Sequence, residues 1–229
     1  MKQAFLTNMS YEIRTPLNNI IGYAGLFTGD HDQSDEPFFI EQIKHSTNEL
    51  LLVGNDILYI SRLEANMEEY KQEPVDFASA FEGYCHDGLM AIQPGVQSVI
   101  VQPFNKLVVN IDGKHLAKII QRLCYYSCMM TVRGSITVSC EYHRGELIIR
   151  IDDTGNGFTE DVAPHIFDHN FARDENGRLV GSGLDLPIVQ LMTKQMGGTI
   201  DIQSDFGKGT SVWVSIPCTA SVIERKRNL

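Results

Sequence analysis

Apolar residues at steps of three or four run along two stretches of this chain, and nothing else in the sequence restricts its fold as much. In the first stretch Leu6, Met9, Ile13, Leu17, Ile20, Ala24 and Phe27 keep that spacing; in the second Phe39, Ile43, Ser46, Leu50, Val53, Ile57 and Ile60 keep it. A period near 3.6 places each set on one face of an α-helix. Gly29-Asp30-His31-Asp32 separates the two as a loop would, and Asp35-Glu36-Pro37 supplies acid and proline where a second helix opens. Residues 1–66 are therefore expected to form a helical hairpin. Two layers leave its apolar face open, so pairing with a second copy into a dimeric four-helix bundle buries that face. A monomeric hairpin packed on the rest of the chain is the alternative.

After residue 66 the helical period lapses, and 67–74 reads as a connector. From 75 to 220 the pattern is mixed. Helices are expected at 77–92, from a cap at Asp112 to about 130, and at 184–195. Strands are expected at 96–102, 106–111, 135–142, 146–152, 199–203 and 210–216, with turns at His143-Arg144-Gly145 and Gly207-Lys208-Gly209. Strands interleaved with three helices imply a sheet covered on one face, an α/β sandwich, which makes the whole chain α+β. Residues 221–229, with Arg225, Lys226 and Arg227, read as a tail, either a frayed end or the start of a linker.

A length of 229 residues suits two such domains. The net charge of −10 argues against a nucleic-acid partner, which needs clustered Lys and Arg. No apolar run approaches the roughly 20 residues needed to cross a bilayer, and no signal-peptide core opens the chain, so the expected location is cytoplasmic without direct membrane insertion. Five cysteines form no Cys-x-x-Cys pair, which fits a reducing compartment and no metal site. Cys124 and Cys128, one helical turn apart without nearby histidines, read as core-facing thiols.

Asp153-Thr154-Gly155-Asn156-Gly157 directly follows a strand. Its glycines let the backbone approach a ligand, and its carboxylate is placed to accept from an amino group such as that of adenine. Gly181-Ser182-Gly183-Leu184 opens a helix, whose free N–H groups favour phosphate. Taken in order with Ile166-Phe167-Asp168-His169-Asn170-Phe171, Met196-Gly197-Gly198-Thr199-Ile200 and Gly207-Lys208-Gly209-Thr210, these motifs resemble the ATP-binding domain of histidine kinases, of the Bergerat-fold ATPase group. Near the N-terminus, Ser10-Tyr11-Glu12-Ile13-Arg14-Thr15-Pro16-Leu17 resembles the Ser-His-Glu-Ile-Arg-Thr-Pro-Leu motif that carries the phosphorylated histidine of two-component sensor histidine kinases.

That resemblance runs from about residue 3 to 217. It implies that Asp153 holds the adenine amino group, that Gly155 and Gly157 shape the pocket floor, and that Gly181, Gly183 and Leu184 face the phosphates. Residues 172–181 would be a lid, in which Arg173 is either a phosphate contact or a solvated loop charge. It also implies ATP and magnesium as cofactors, a second copy of the chain as partner, and the receiver domain of a response regulator as the other partner.

Several positions depart from the family pattern. Where the family reads Asn-Leu-Leu-x-Asn-Ala-x-Lys-Phe-Thr, this chain reads Arg122-Leu123-Cys124-Tyr125-Tyr126-Ser127-Cys128-Met129-Met130-Thr131. Tyr126 thus stands at the magnesium-ligand position, while Arg122 and Met129 replace an Asn and a Lys. Magnesium demands hard oxygen ligands, and a protonated phenol is a poor one. Asp185 replaces the third glycine of Gly-x-Gly-Leu-Gly-Leu. If it faces a phosphate about 6 Å away, repulsion of roughly 3 kcal/mol follows at an effective dielectric of about 20. Arg122 and Tyr126, four apart on one helical face, leave open whether Arg122 partly replaces the missing cation.

Tyr11 stands at the phosphoacceptor position. With a pKa of about 10 its phenol is about one part in a thousand ionised near neutrality, and a carboxylate such as Glu12 is badly matched to remove the proton. His45, on the second helix, lacks the surrounding motif. Glu12 and Thr15 lie three apart on one face; in the family such a pair resembles the site that orients water against a regulator's phosphoaspartate, though a Thr15 hydroxyl bonded to its own helix fits as well. The expectation is a sensor histidine kinase core that has lost autophosphorylation, with nucleotide binding weak or lost. A working kinase or phosphatase with compensated substitutions, and a ligand-free dimer scaffold, stand as alternatives.

Overall fold

The computed structural model describes residues 2–27, 29, 31–159, 162, 166, 167 and 183–226, without the side chains of 2–9, 11 and 12. The chain divides into two compact units, one ending at Ala65 and the other beginning at Asn66.

The first unit is a helical hairpin. Helix α1 (Lys2–Leu26) continues through Pro16, a 3₁₀ turn spans Gln33–Asp35, and α2 runs Glu36–Glu64 with its proline in the first turn, where a missing N–H costs nothing. On α2 the expected seam is the observed one: Phe39, Ser46, Val53 and Ile60 are buried and Ile43, Leu50 and Ile57 half-buried. On α1 the packed row differs from the expected one. Pro16 is buried and Ile20 and Tyr23 are half-buried, whereas Ile13, Leu17 and Ala24 are exposed. Tyr23 and Phe27 meet Phe39 with ring centroids 6.0 and 5.9 Å apart. The apolar arc of α1 is wider than one neighbouring helix can cover, so spacing alone could not tell the covered row from its neighbour.

Among its described residues the second unit holds two sheets and three helices. Strands β1 (Glu73–Asp76), β3 (Phe104–Ile111) and β8 (Thr219–Arg225) form an antiparallel sheet in the order β1-β3-β8. The other sheet has the order β2-β4-β5-β7-β6, from β2 (Gln97–Val101), β4 (Ser135–His143), β5 (Glu146–Asp153), β6 (Thr199–Asp205) and β7 (Gly209–Pro217); only its β2–β4 pair is parallel. The described helices of the unit are α3 (Phe77–Leu89), α4 (Gly113–Met130) and α5 (Asp185–Gln195). Two elements differ from expectation. Residues 73–76, the first two of them read as connector, pair with β3, and 219–225, read mostly as tail, pair with its other edge. Their charged and proline-containing stretches carry little of the β-branched alternation that marks a strand.

Period two along β5 places Leu147, Ile149, Ile151 and Asp153 on one buried face. The apolar members sit in the core, where each large side chain contributes roughly 1.5–3 kcal/mol; the last position is a carboxylate at the sheet's end. The buried face of α4, with Leu116, Ile119, Ile120, Leu123, Tyr126, Ser127 and Met130, includes residues that reach this end. Asp112 caps α4 by accepting from the His115 N–H at 2.9 Å, as its sequence position suggests. It also accepts from the Lys71 N–H at 2.7 Å. The Tyr70 hydroxyl donates to Gln195 Oε1 at 2.6 Å, so the segment before β1 is tied to the far end of α5.

All five cysteines are reduced and buried, Cys124 and Cys128 among them. No described helix is long and apolar enough to cross a membrane.

Candidate functional site

Asp153 is the centre of the best-defined polar constellation in the second unit. It ends β5 opposite Thr210 of β7 and is buried. Its Oδ1 accepts from the Gly155 N–H at 2.9 Å and from the Thr210 N–H at 3.2 Å. Its Oδ2 accepts from the Ser127 hydroxyl at 3.3 Å. Burial pushes this carboxyl up to about 6, against those three donors, with the Asp152 charge adding to the rise. Gly155 is required here by space, because a Cβ would run into the Met130 carbonyl. Gly157 is required by conformation, with φ of 61° and the Asp205 carbonyl where a Cβ would stand. The Gly207 N–H donates to the Asn156 carbonyl at 2.7 Å, fastening the β6–β7 turn to the same loop.

Five residues before Ser127 on α4 lies Arg122, and its Nη1 is 2.7 Å from Oδ1 of Asp185, in the first turn of α5. Two positions that the sequence reading singles out separately, on different helices, are thus joined. The repulsion expected if Asp185 faces a phosphate is reduced, because the charge of Asp185 is met by Arg122. Tyr126 is buried and feels the charge of both carboxylates. Burial first, then the charges of Asp153 and Asp185, push its phenol well above its ordinary value, so it is a neutral donor at physiological pH. Met129 is half-buried on the same helix, and Leu184, buried, caps α5 without a side-chain hydrogen bond.

The remaining expected residues are distributed as follows. Gly183 lies half-buried directly before Leu184, while Arg173, Gly181 and most of the stretch between them and Phe167 lie outside the described residues. Tyr11 and Glu12 fall within α1, and their side chains are outside the described part. Thr15 is exposed on α1 directly before buried Pro16. His45 is exposed on α2 beside Glu49, one turn on, at 3.3 Å. Sequence reading missed the roles of Ser127 and Thr210. The signal for Ser127 was a hydroxyl on the apolar face of α4, a place where a polar group needs a partner.

The chemistry of the adenine end suits the group the resemblance assigns to it, since a carboxylate offers about four acceptor sites and Asp153 uses three of them. The residues that the resemblance assigns to magnesium do not fit it: Tyr126 offers a neutral phenol, and the Asp185 carboxylate is met by the Arg122 guanidinium, which repels a cation.

Comparison with known proteins agrees with the fold. Residues 1–66 match the family model of the His Kinase A (phospho-acceptor) domain, and residues 111–220 that of the histidine kinase-, DNA gyrase B-, and HSP90-like ATPase. The chain is 28% identical over 222 residues to the aerobic respiration control sensor protein ArcB of Escherichia coli (strain K12), covering 94% of this chain and 28% of ArcB. It is 34% identical over 223 residues to the histidine protein kinase DivJ of Caulobacter vibrioides, covering 93% of this chain and 37% of DivJ. It therefore spans only about a third of the length of these relatives. The solved structure of the histidine kinase AdeS of Acinetobacter baumannii superposes with a TM-score of 0.69 at 18% identity, over 90% of this chain and 97% of that one, a likeness of fold. With a phosphoacceptor-type helical hairpin followed by a histidine-kinase-type ATPase domain, the chain belongs to the two-component sensor histidine kinases.

Proposed function

We propose that this chain is the core of a sensor histidine kinase that no longer loads its own phosphoryl group and transmits its signal to a response regulator by docking. The observation that carries this reading is the buried Tyr126 phenol at the magnesium-ligand position, with Arg122 and Asp185 closed on each other beside it. Tyr11 at the acceptor position points the same way. Binding of magnesium triphosphate is expected to be weak, and Asp153, Gly155, Gly157, Gly183 and Leu184 are proposed as the nucleotide-binding residues, with Arg173 and Gly181 from the lid. The reading treats residues 1–66 as the dimerisation hairpin and 75–220 as the nucleotide-binding domain, in the cytoplasmic part of a longer sensor. Incubation with magnesium and γ-labelled ATP tests it: no stable label on the protein is expected, and label retained on the chain would overturn it.

Homodimerisation belongs to the same reading. Ile13, Leu17 and Ile21 on α1, four apart, are exposed, as are Ile40, Leu51 and Leu58 on α2. A single hairpin leaves these stripes in water, and a second copy covers them in a four-helix bundle.

A second reading is favoured by the exposure of Thr15. Together with Glu12 it is proposed to orient a water against the phosphoaspartate of a docked receiver domain, giving phosphatase activity without reaction at Tyr11. Thr15→Ala should abolish dephosphorylation of a phosphorylated regulator; an unchanged rate removes the role.

A further inference from the structure

The misfit between this cleft and magnesium triphosphate has a direction, and it selects a different class of ligand. At the adenine end the recognition elements are intact and held: Asp153 is positioned by two backbone N–H groups and the Ser127 hydroxyl, and Gly155 keeps the floor clear. At the phosphate end the guanidinium of Arg122 and the carboxylate of Asp185 sum to no net charge at 2.7 Å, and Tyr126 contributes a neutral hydroxyl. A polyphosphate entering here gains no net countercharge from the pair and must break a partly buried ion contact to reach Arg122, whose side chain is 23% exposed against 10% for Asp185. A neutral nucleoside meets neither cost.

We propose that the site is a metal-independent adenine-nucleoside site, in which the Arg122–Asp185 pair acts as the specificity element that rejects polyphosphate. This rests on the reading of the cleft as a nucleotide pocket and goes beyond it by naming the ligand class. The order of affinity is the reverse of that in a pocket with a magnesium anchor: adenosine binds at least as tightly as ATP, and magnesium adds nothing to ATP.

Calorimetric titration of the whole chain with adenosine, and with ATP in magnesium or in chelator, tests this. Adenosine binding no weaker than ATP, with magnesium changing ATP affinity less than threefold, is the expected result. ATP binding tighter than adenosine, a magnesium effect of threefold or more, or no binding of adenosine overturns the proposal. Asp185→Asn gives an independent arm on a variant checked for an unchanged melting profile. By removing the charge that meets Arg122 it should raise the ratio of ATP to adenosine affinity in chelator at least fivefold, and a smaller gain removes the pair as the discriminating element. Loss of adenosine binding from a chain that also takes no label from ATP defeats this inference alone, whereas label on the protein defeats the proposed function.

Discussion

Arg122 on α4 and Asp185 on α5, 63 positions apart in the chain, face each other with Nη1 2.7 Å from Oδ1. Each looks like a separate defect when read along the sequence. Together they form one ion pair between two helices, at the two positions where the sequence reading expects an amide and a glycine.

The pair should hold the two helices together unequally. Arg122→Ala strands a buried carboxylate and is expected to cost about 2–3 kcal/mol, while Asp185→Ala leaves a guanidinium that can turn to water and costs about 1–2 kcal/mol. Arg122→Met with Asp185→Leu should recover most of the loss. Trp213, the chain's one tryptophan and a residue of β7, reports unfolding of the second unit by fluorescence. Equal losses for the two single variants would argue against this account of the pair.

Asp153 gives the second unit a pH dependence of defined sign. Its pKa is raised by burial from 3.8 to about 6 in the folded state, so the folded chain holds a proton there that the unfolded chain has released. Between about pH 4 and 6 its contribution therefore destabilises progressively as pH rises, by up to about 3 kcal/mol when fully ionised. Asp153→Asn should flatten this part of the curve, measured as the difference in Trp213 melting between wild type and variant from pH 4.5 to 7.5. Parallel curves would show that the carboxyl does not carry the shift.

Gly155→Ala places a methyl group against the Met130 carbonyl and beside the Asp153 carboxylate. A loss of about 2 kcal/mol or more is expected, together with loss of adenine-nucleoside binding. Full retention of both would mean that the loop moves without cost and that Gly155 does not shape the floor.

The exposed stripes of the hairpin predict the effect of charge on assembly. Leu17→Glu or Leu58→Glu, at sites 40% and 65% exposed, should leave helicity unchanged and shift sedimentation from dimer to monomer. A dimer unaffected by both would place the partner elsewhere.

How much of this could be read from the sequence depended on how local the signal was. The covered row of α2 and the cap at Asp112 follow from short-range spacing, and the motif around Asp153 was placed by its position directly after a strand. The covered row of α1 was off by one because that helix has apolar residues on two adjoining rows, and β8 was hidden by charged residues that suit a sheet edge but do not announce one. Ser127 and Thr210 became partners of Asp153 only through the stacking of α4 over β5 and the β5–β7 register. The meeting of Arg122 and Asp185 required the packing of two helices, which no spacing along one of them encodes.

The claim at the centre of this account is that the cleft itself, and not only the acceptor position, has given up phosphoryl transfer. Tyr11→Ala cannot separate the two, but Tyr11→His can, because it restores the imidazole and leaves Tyr126, Arg122 and Asp185 untouched. Incubated with magnesium and γ-labelled ATP, the Tyr11→His chain is predicted to remain unlabelled. Acid-labile label accumulating on it would contradict the account, since it would show a cleft still able to deliver phosphate.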